Sequence, residues 1–144
     1  MTKSQGPPIV NIYARQKAGE DIRDLLKALK NMDKTLRKEA RKKLRDVGEI
    51  VAVEARAQAE EHGLRRSGRL IKQIRPRLGR MSIQVAATAT RKSPAYPRGF
   101  NYPRLYEYGP NKRPFMRPAL VAKRSEAFQK FTEVLDELEK EWRN

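Results

Sequence analysis

The feature that most constrains the fold is an apolar stripe between residues 34 and 61. Its members recur three or four positions apart, as on one face of an α-helix: Leu36, Ala40, Leu44, Val47, Val51, Ala55 and Ala59. Asp33 is suited to cap the start of this helix, and Gly63 is suited to end it. Such a helix is about 42 Å long, so its stripe needs an extended partner surface. The stripe predicts packing on a sheet, and the length also allows contact with a neighbouring subunit.

Two further helices are predicted, one on each side of this element. The first begins near Gly19 and breaks over residues 31–33. The second begins with Pro118 at its first position, where the missing N–H of proline removes no helical hydrogen bond. Its apolar face comprises Leu120, Val121, Phe128, Phe131, Leu135, Leu138 and Trp142.

Strands are predicted where the apolar period changes to two. Residues 9–13 predict a short edge strand, and residues 70–74, 82–90 and 105–108 predict three more. Proline and glycine are dense over residues 91–104, so we expect a long basic loop there. The order of elements indicates the α+β class: a long N-terminal helix and a C-terminal helix packed on a small antiparallel β-sheet.

The length of 144 residues fits a single domain over residues 1–144. We expect residues 1–8 and 143–144 to be flexible. No apolar run reaches the roughly 20 residues that a membrane helix needs, and residues 1–8 lack the pattern of a signal peptide. These features predict a soluble protein that makes no membrane contact.

The positive charge is concentrated in the middle of the chain. The formal net charge is +16, and residues 65–124 alone contribute +15, with Glu107 as their one acid. Residues 125–144 carry a net charge of −3. A field of one sign attracts phosphate or an acidic protein surface, whereas a merely solubilising surface mixes both signs. We therefore expect an anionic partner.

Three aromatic residues lie within the predicted basic loop of residues 91–104: Tyr96, Phe100 and Tyr102. Rings in a basic loop can stack on nucleic-acid bases, cover the edge of a core, or contact another subunit. Because they do not alternate along a predicted strand, stacking on bases is the least favoured of the three.

Residues suited to catalysis are scarce. There is no cysteine, and His62, the one histidine, lies at a predicted helix end, so no His or Cys metal cluster is expected. Glu107 has no second carboxylate near it for acid–base work and is expected to form a salt bridge with an arginine. No phosphate-loop pattern is present. The sequence predicts a protein without enzymatic activity, cofactor or metal.

Three motifs together carry a resemblance to a known family. The first is Arg66-Ser67-Gly68-Arg69-Leu70, directly after the long helix. The second is Tyr102-Pro103-Arg104-Leu105-Tyr106-Glu107-Tyr108-Gly109, and the third is Arg113-Pro114-Phe115-Met116-Arg117-Pro118-Ala119-Leu120. In this order the chain resembles, over about residues 15–140, the phage tail-component family named after the tenth gene product of a lambda-like siphophage.

The resemblance implies a structural virion protein of a tailed bacteriophage, a minor tail component of the neck that completes the head-to-tail connector. It implies a homo-oligomeric ring, six-fold by analogy with the family and twelve-fold as the second option. The neighbours would be head-closure and tail-tube or terminator proteins, and genomic DNA would pass through the lumen. The location would be the virion, after synthesis in the cytoplasm of the host bacterium. A tail terminator and a free basic nucleic-acid-binding protein are the alternatives.

The motif residues also have physical roles of their own. Gly68 permits a tight turn before Leu70, and Gly109 ends the predicted strand that contains Glu107. Pro114 and Pro118 fix the entry of the chain into the last helix, where Phe115 anchors it in the core.

A set of basic side chains is predicted to face acidic neighbours or DNA: Arg65, Arg66, Arg69, Arg75, Arg77, Arg80, Arg91 and Lys92.

Overall fold

A computed structural model of the chain describes residues 6–12, 27, 31, 33–64, 68–78, 83–109 and 112–143. The elements follow one another as β1 (Ile9–Ile12), α1 (Lys34–Glu61), α2 (Arg69–Lys72), β2 (Ile74–Leu78), β3 (Ile83–Ala87), β4 (Arg91–Ser93), β5 (Tyr96–Phe100), α3 (Pro103–Tyr108) and α4 (Met116–Arg143). The predicted helix from Gly19 lies almost wholly outside the described residues, as do residues 1–5 and Asn144.

The main sheet has three antiparallel strands in the order β1-β3-β2. Alternation fixes its register, because Ile83, Val85 and Ala87 all point to one face and are buried there. Val10 of β1 pairs with Val85, which confirms the predicted edge strand. The α+β class is confirmed, with two long helices on a small antiparallel sheet.

Helix α1 packs on β2 and β3 through the predicted stripe. The six stripe residues from Ala40 to Ala59 are buried, but Leu36 is 43% exposed, so the buried stripe begins one turn later than predicted. Asp33 precedes the helix as expected, although its side chain makes no capping hydrogen bond.

The C-terminal end of α1 is closed by a left-handed residue, Gly63, with φ of 72°. The N–H of Gly63 donates to Glu60 O at 2.9 Å, and the N–H of Leu64 donates to Ala59 O at 2.9 Å. This pair of bonds is the Schellman arrangement, in which the following apolar residue, here the buried Leu64, folds back on the helix. The predicted helix end is confirmed.

Helix α4 packs antiparallel to α1 and also contacts β1. Early in α1, Lys43 forms an ion pair with Glu137 late in α4, at 3.6 Å. At the other end, Arg113 just before α4 donates to the carbonyl of His62 just after α1, at 3.1 Å. The two helices therefore run in opposite directions along a shared core.

The predicted start and apolar face of α4 need correction. The helix begins at Met116, so Pro118 occupies its third position, where the N–H would still have no helical partner. Phe131, Leu135 and Leu138 are buried as predicted, but Val121 is 63% exposed. Three residues missing from the prediction are also buried on this helix: Ala119, Ala127 and Val134.

Three segments adopt a structure other than the predicted one. Residues 91–104 are not a long loop, because β4 and β5 form an antiparallel hairpin with a turn at 94–95. Residues 105–108 belong to the helix α3 and not to a strand. Leu70 lies in the short helix α2, so that β2 begins only at Ile74. Of residues 1–8, which are predicted to be flexible, Pro8 is buried and accepts a hydrogen bond from Ala87 N–H.

Candidate functional site

A cleft of about 660 Å³ opens where the end of α1, α2, the hairpin and α3 meet. Three guanidinium groups line it, those of Arg69, Arg91 and Arg113. Three aromatic rings share its wall: Phe100, Tyr102 and Tyr106. We call these six residues the basic cleft. It combines concentrated positive charge with apolar surface, a composition that favours an anionic partner.

Arg69 reaches the cleft from the start of α2. Gly68 is left-handed, with φ of 72°, and the turn it makes starts α2 with Arg69 as the first helical residue. Leu70 is buried beside it, at 3% exposure, and anchors this turn in the core. Gly68 has the left-handed backbone conformation that its predicted role in a tight turn requires, although a short helix and not a strand follows it.

Arg91 reaches the cleft from the hairpin. It stands at the start of β4, opposite Phe100 at the end of β5. Gly99, with φ of 99°, lies so close to Thr90 that an added Cβ would be 3.2 Å from Thr90 Cβ. The left-handed glycine and this close approach bring the ends of the hairpin together, which places Arg91 beside the aromatic wall.

Arg113 is a cleft residue that the sequence prediction missed. Its Nη1 donates to His62 O, and its guanidinium lies over the ring of Tyr106, 5.4 Å from the centroid. Its backbone N–H also donates to Tyr106 O at 2.8 Å. The signal was present in the sequence, since Arg113 opens the third motif, but nothing local indicated that it would join Arg69.

Burial outweighs the positive charge of the cleft in its effect on the pKa of Tyr102. Burial raises the pKa of Tyr102 above its ordinary value of 10.0, and the nearby ring of Tyr106 adds to the rise. Arg69 and Arg91 act in the opposite direction and lower the pKa of Tyr102, because cations favour the phenolate. Both guanidinium groups therefore act on one hydroxyl.

The other predicted basic residues lie elsewhere. Arg75 and Arg77 are exposed on β2, where the Nε of Arg75 donates to Lys72 O and that of Arg77 donates to Gln84 Oε1. Lys92 is exposed on β4, outside the cleft wall. Three more predicted residues lie outside the part of the chain that the structure describes: Arg65, Arg66 and Arg80.

Glu107 has a structural role that differs from the predicted salt bridge. Its side chain is buried at 5% exposure and accepts three backbone N–H groups at the start of α4. The Oε2 atom accepts from Phe115 at 2.9 Å and Met116 at 3.1 Å, and Oε1 accepts from Arg117 at 2.9 Å. Its negative charge also suits the positive N-terminal end of the helix. The expected guanidinium partner is thus replaced, among the described residues, by the open N–H groups of a helix.

Two neighbours complete this junction. The motif proline Pro114 leads into the buried Phe115, as predicted. Gly109 ends a helix and not a strand, and its N–H donates to Leu105 O at 2.8 Å. A Cβ at position 109 would lie 2.2 Å from that same oxygen, so only glycine fits this turn.

Asn101 supports the cleft wall and was not predicted. It is buried at 8% exposure, and its Nδ2 donates to Ala87 O at 2.9 Å and Ala89 O at 3.1 Å. Its Oδ1 accepts the N–H of Arg104 in the first turn of α3. One side chain therefore ties the end of β3 to the helix that carries Tyr106.

A second groove, of about 510 Å³, adjoins the far side of α3 and is mostly apolar. Tyr108 and Val121 line it and are 54% and 63% exposed. Within the described ranges there is no group of three or more acids or histidines able to hold a metal ion. The described helices include none with the length and apolar character needed to span a bilayer.

No protein-family model, curated protein or solved structure matches this chain. The family resemblance of the three motifs therefore stays a prediction.

Proposed function

We propose that this protein is a structural, non-enzymatic subunit of the head-to-tail connector of a tailed bacteriophage, assembled as a ring in the virion neck. One observation carries the proposal: the three motifs behind the resemblance form a single structural unit. Gly68 and Arg69 of the first motif adjoin the cleft that Tyr102 and Tyr106 of the second motif line. Glu107 of the second motif then binds the backbone of the third.

A connector subunit acts through its surfaces, and the surface chemistry supports that role. The cleft and strand β2 expose arginines without an adjoining pair of carboxylates or a metal-ligand cluster in the described part of the chain. Exposed cations of this kind bind acidic protein surfaces or the phosphates of DNA in a lumen. A six-fold ring is the proposed assembly, with twelve-fold symmetry as the alternative.

The competing proposal is a free nucleic-acid-binding protein, because the basic cleft combines arginines with aromatic rings. Electron microscopy of the purified protein separates the two. Closed rings in the absence of nucleic acid support the connector, whereas a monomer that binds duplex DNA tightly supports the competitor.

Location in the particle tests the remaining part of the proposal. Cryo-electron microscopy of the parent phage is expected to place the protein between the head connector and the tail tube. A position at the head-distal end of this region, capping the tail tube alone, would instead identify a tail terminator. Particles that lack the protein altogether would overturn the proposal.

A further inference from the structure

We propose that the basic cleft binds the acidic outer surface of α4 from a second copy of this chain, so that subunits join head to tail. This inference rests on the proposed ring and names the contact that builds it. The carboxylates of this surface are those of Glu133, Asp136 and Glu137, which we call the acidic ridge; all three are exposed on α4, as are Lys130 and Lys140.

The segment of residues 65–124 offers the cleft no carboxylate that is not already hydrogen-bonded to backbone N–H groups. Glu107 is the only acid between residues 65 and 124, and its two oxygens are already occupied by three backbone N–H groups. Arg113 donates to a neutral carbonyl, that of His62. Arg91 is exposed at the rim of the cleft. These groups favour a carboxylate from outside the segment.

The acidic ridge lies at the opposite end of the subunit. Glu133 follows the start of α4 by 17 residues, which at 1.5 Å per residue is about 26 Å along the helix axis. The ion pair between Glu137 and Lys43 confirms that this end of α4 lies beside the early part of α1, whereas the cleft adjoins the end of α1.

The separation makes the contact intermolecular. Charges in water are screened over a Debye length of about 8 Å at physiological ionic strength, so the ridge cannot neutralise the cleft of its own chain. A second copy can, because the carboxylates of the ridge and the guanidinium groups of the cleft carry opposite charges. Since the cleft and the ridge are different surfaces, the contact is heterologous, and its repetition closes a ring when the rotation per subunit divides a full turn.

The aromatic residues of the cleft favour a carboxylate partner over nucleic-acid bases. Tyr106 already has the guanidinium of Arg113 over its ring, and Phe100 packs against Tyr96 with centroids 5.4 Å apart. Tyr102 is partly buried. A base needs an open ring face on which to stack, whereas a carboxylate needs only the exposed edges of the guanidinium groups.

Two charge-reversal variants test the proposal. The cleft variant is Arg69→Glu with Arg91→Glu, and the ridge variant is Glu133→Lys with Asp136→Lys. Each variant alone places like charges across the contact, so self-association measured by sedimentation velocity is expected to weaken on the order of 100-fold. A variant with all four changes, and an equal mixture of the two single-surface variants, are both expected to regain assembly, because each then restores opposite charges at every contact.

The matched control is Arg75→Glu with Arg77→Glu, which makes the same change in net charge on exposed residues outside the cleft. It is expected to assemble like the wild type, and circular dichroism checks that all variants are folded. If the mixture and the four-fold variant stay dissociated, or if the cleft variant assembles normally, the inference is wrong. Normal assembly combined with a loss of duplex binding in the cleft variant would assign the cleft to nucleic acid instead.

The failure of this inference is distinguishable from failure of the proposed function. Rings of the wild type that persist in every charge variant overturn the cleft contact and leave the connector proposal standing. A wild type that is monomeric at all concentrations and missing from virions overturns both.

Discussion

At the residue scale, the junction between α3 and α4 depends on the Glu107 carboxylate. It satisfies three of the N–H groups that the first turn of any helix leaves without intrahelical partners. In most helices the side chain that accepts these N–H groups belongs to the residue just before the helix. Here the accepting carboxylate lies eight to ten positions upstream of the donors. The same side chain therefore caps α4 and fixes the path of residues 109–114.

Replacing this carboxylate is expected to destabilise the fold. In Glu107→Gln, one oxygen is replaced by an NH₂ group that faces N–H donors, and the charge that suits the helix end is lost. The free energy of unfolding is expected to fall by about 2–4 kcal/mol, as for the loss of charge-assisted hydrogen bonds in a buried site. Urea denaturation followed by circular dichroism measures it.

The matched control is Glu126→Gln, which makes the same chemical change on an exposed residue of α4. Glu126 forms a surface ion pair with Lys123 at 3.5 Å, so its loss is expected to change the stability by less than about 1 kcal/mol. Equal effects of the two substitutions would show that the buried capping bonds do not stabilise the junction.

Tyr102 makes the stability of the fold depend on pH in the alkaline range. Burial raises the pKa of Tyr102 above 10.0, so above that pH the unfolded chain loses this proton more readily than the folded protein does. The contribution of the Tyr102 hydroxyl to the free energy of unfolding is fully present below the pKa of Tyr102 in the unfolded chain. It is lost as the pH rises through the pKa of Tyr102 in the folded protein. We expect Tyr102→Phe to become more stable relative to the wild type between about pH 8 and about pH 11. Urea denaturation across this range measures the difference, and a constant difference would contradict the argument.

At the scale of elements, helix α1 approaches the sheet closely at Gly48. A Cβ added there would lie 2.7 Å from Pro76 Cβ and 3.1 Å from Ile83 Cγ2. Pro76 sits in the edge strand β2, where its missing N–H removes no bond to a further strand. Its ring is stiff, so it cannot move aside as a long side chain would.

Gly48→Ala is therefore expected to destabilise the protein, against the preference of helices for alanine. The helical gain of about 1 kcal/mol is outweighed by overpacking, which costs about 1–3 kcal/mol, so a net loss of up to about 2 kcal/mol is expected. In a Pro76→Gly background the Cβ clash is removed, and the same substitution should cost less. Urea denaturation of the four proteins gives this double-mutant cycle.

Val53→Ala is the control for helix propensity, because Val53 lies on the same helix and is 55% exposed. It is expected to leave the stability unchanged or to raise it by a few tenths of a kcal/mol. If Gly48→Ala behaves like this control, the close approach between α1 and β2 has no energetic consequence.

The long periodic elements could be predicted from sequence, whereas the connections that build the cleft could not. The apolar stripe predicts helix α1 because its buried residues recur at helical spacing. In the hairpin, Pro97 and Gly99 looked incompatible with strands, but a two-stranded ribbon with an irregularity between Arg91 and Ser93 contains them. Such local exceptions are visible only once the partner strand is known.

The sequence of helix α3 predicts a strand for a related reason. Leu105, Tyr106 and Tyr108 belong to residue types that fit strands as well as helices. The start of the helix depends on Pro103 at its first position and on Asn101, which accepts the N–H of Arg104. Because Asn101 is held by the carbonyls of Ala87 and Ala89, the signal that favours a helix is tertiary.

The candidate site also has one part that the sequence predicts and one part that depends on the tertiary structure. Of the predicted basic residues that the structure describes, Arg69 and Arg91 meet in the cleft, while Arg75, Arg77 and Lys92 do not line it. The charge of the segment was evident from sequence, but its grouping depends on how the hairpin and α3 fold against the end of α1.

At the scale of the whole molecule, the separation of charge implies an assembly that responds to salt. Raising the salt concentration from about 0.1 M to about 1 M shortens the Debye length from about 10 Å to about 3 Å. If the basic cleft binds the acidic ridge, self-association weakens steadily over this range, and sedimentation velocity in sodium chloride measures it. The control variant with Arg75→Glu and Arg77→Glu should show the same dependence on salt as the wild type, since those residues lie outside the contact.

An apolar contact through the groove of Tyr108 and Val121 predicts that self-association strengthens with salt, because excluded salts such as sulfate strengthen the burial of apolar surface. Self-association that strengthens in sulfate and does not change with sodium chloride would therefore assign the contact between subunits to that groove and not to the cleft.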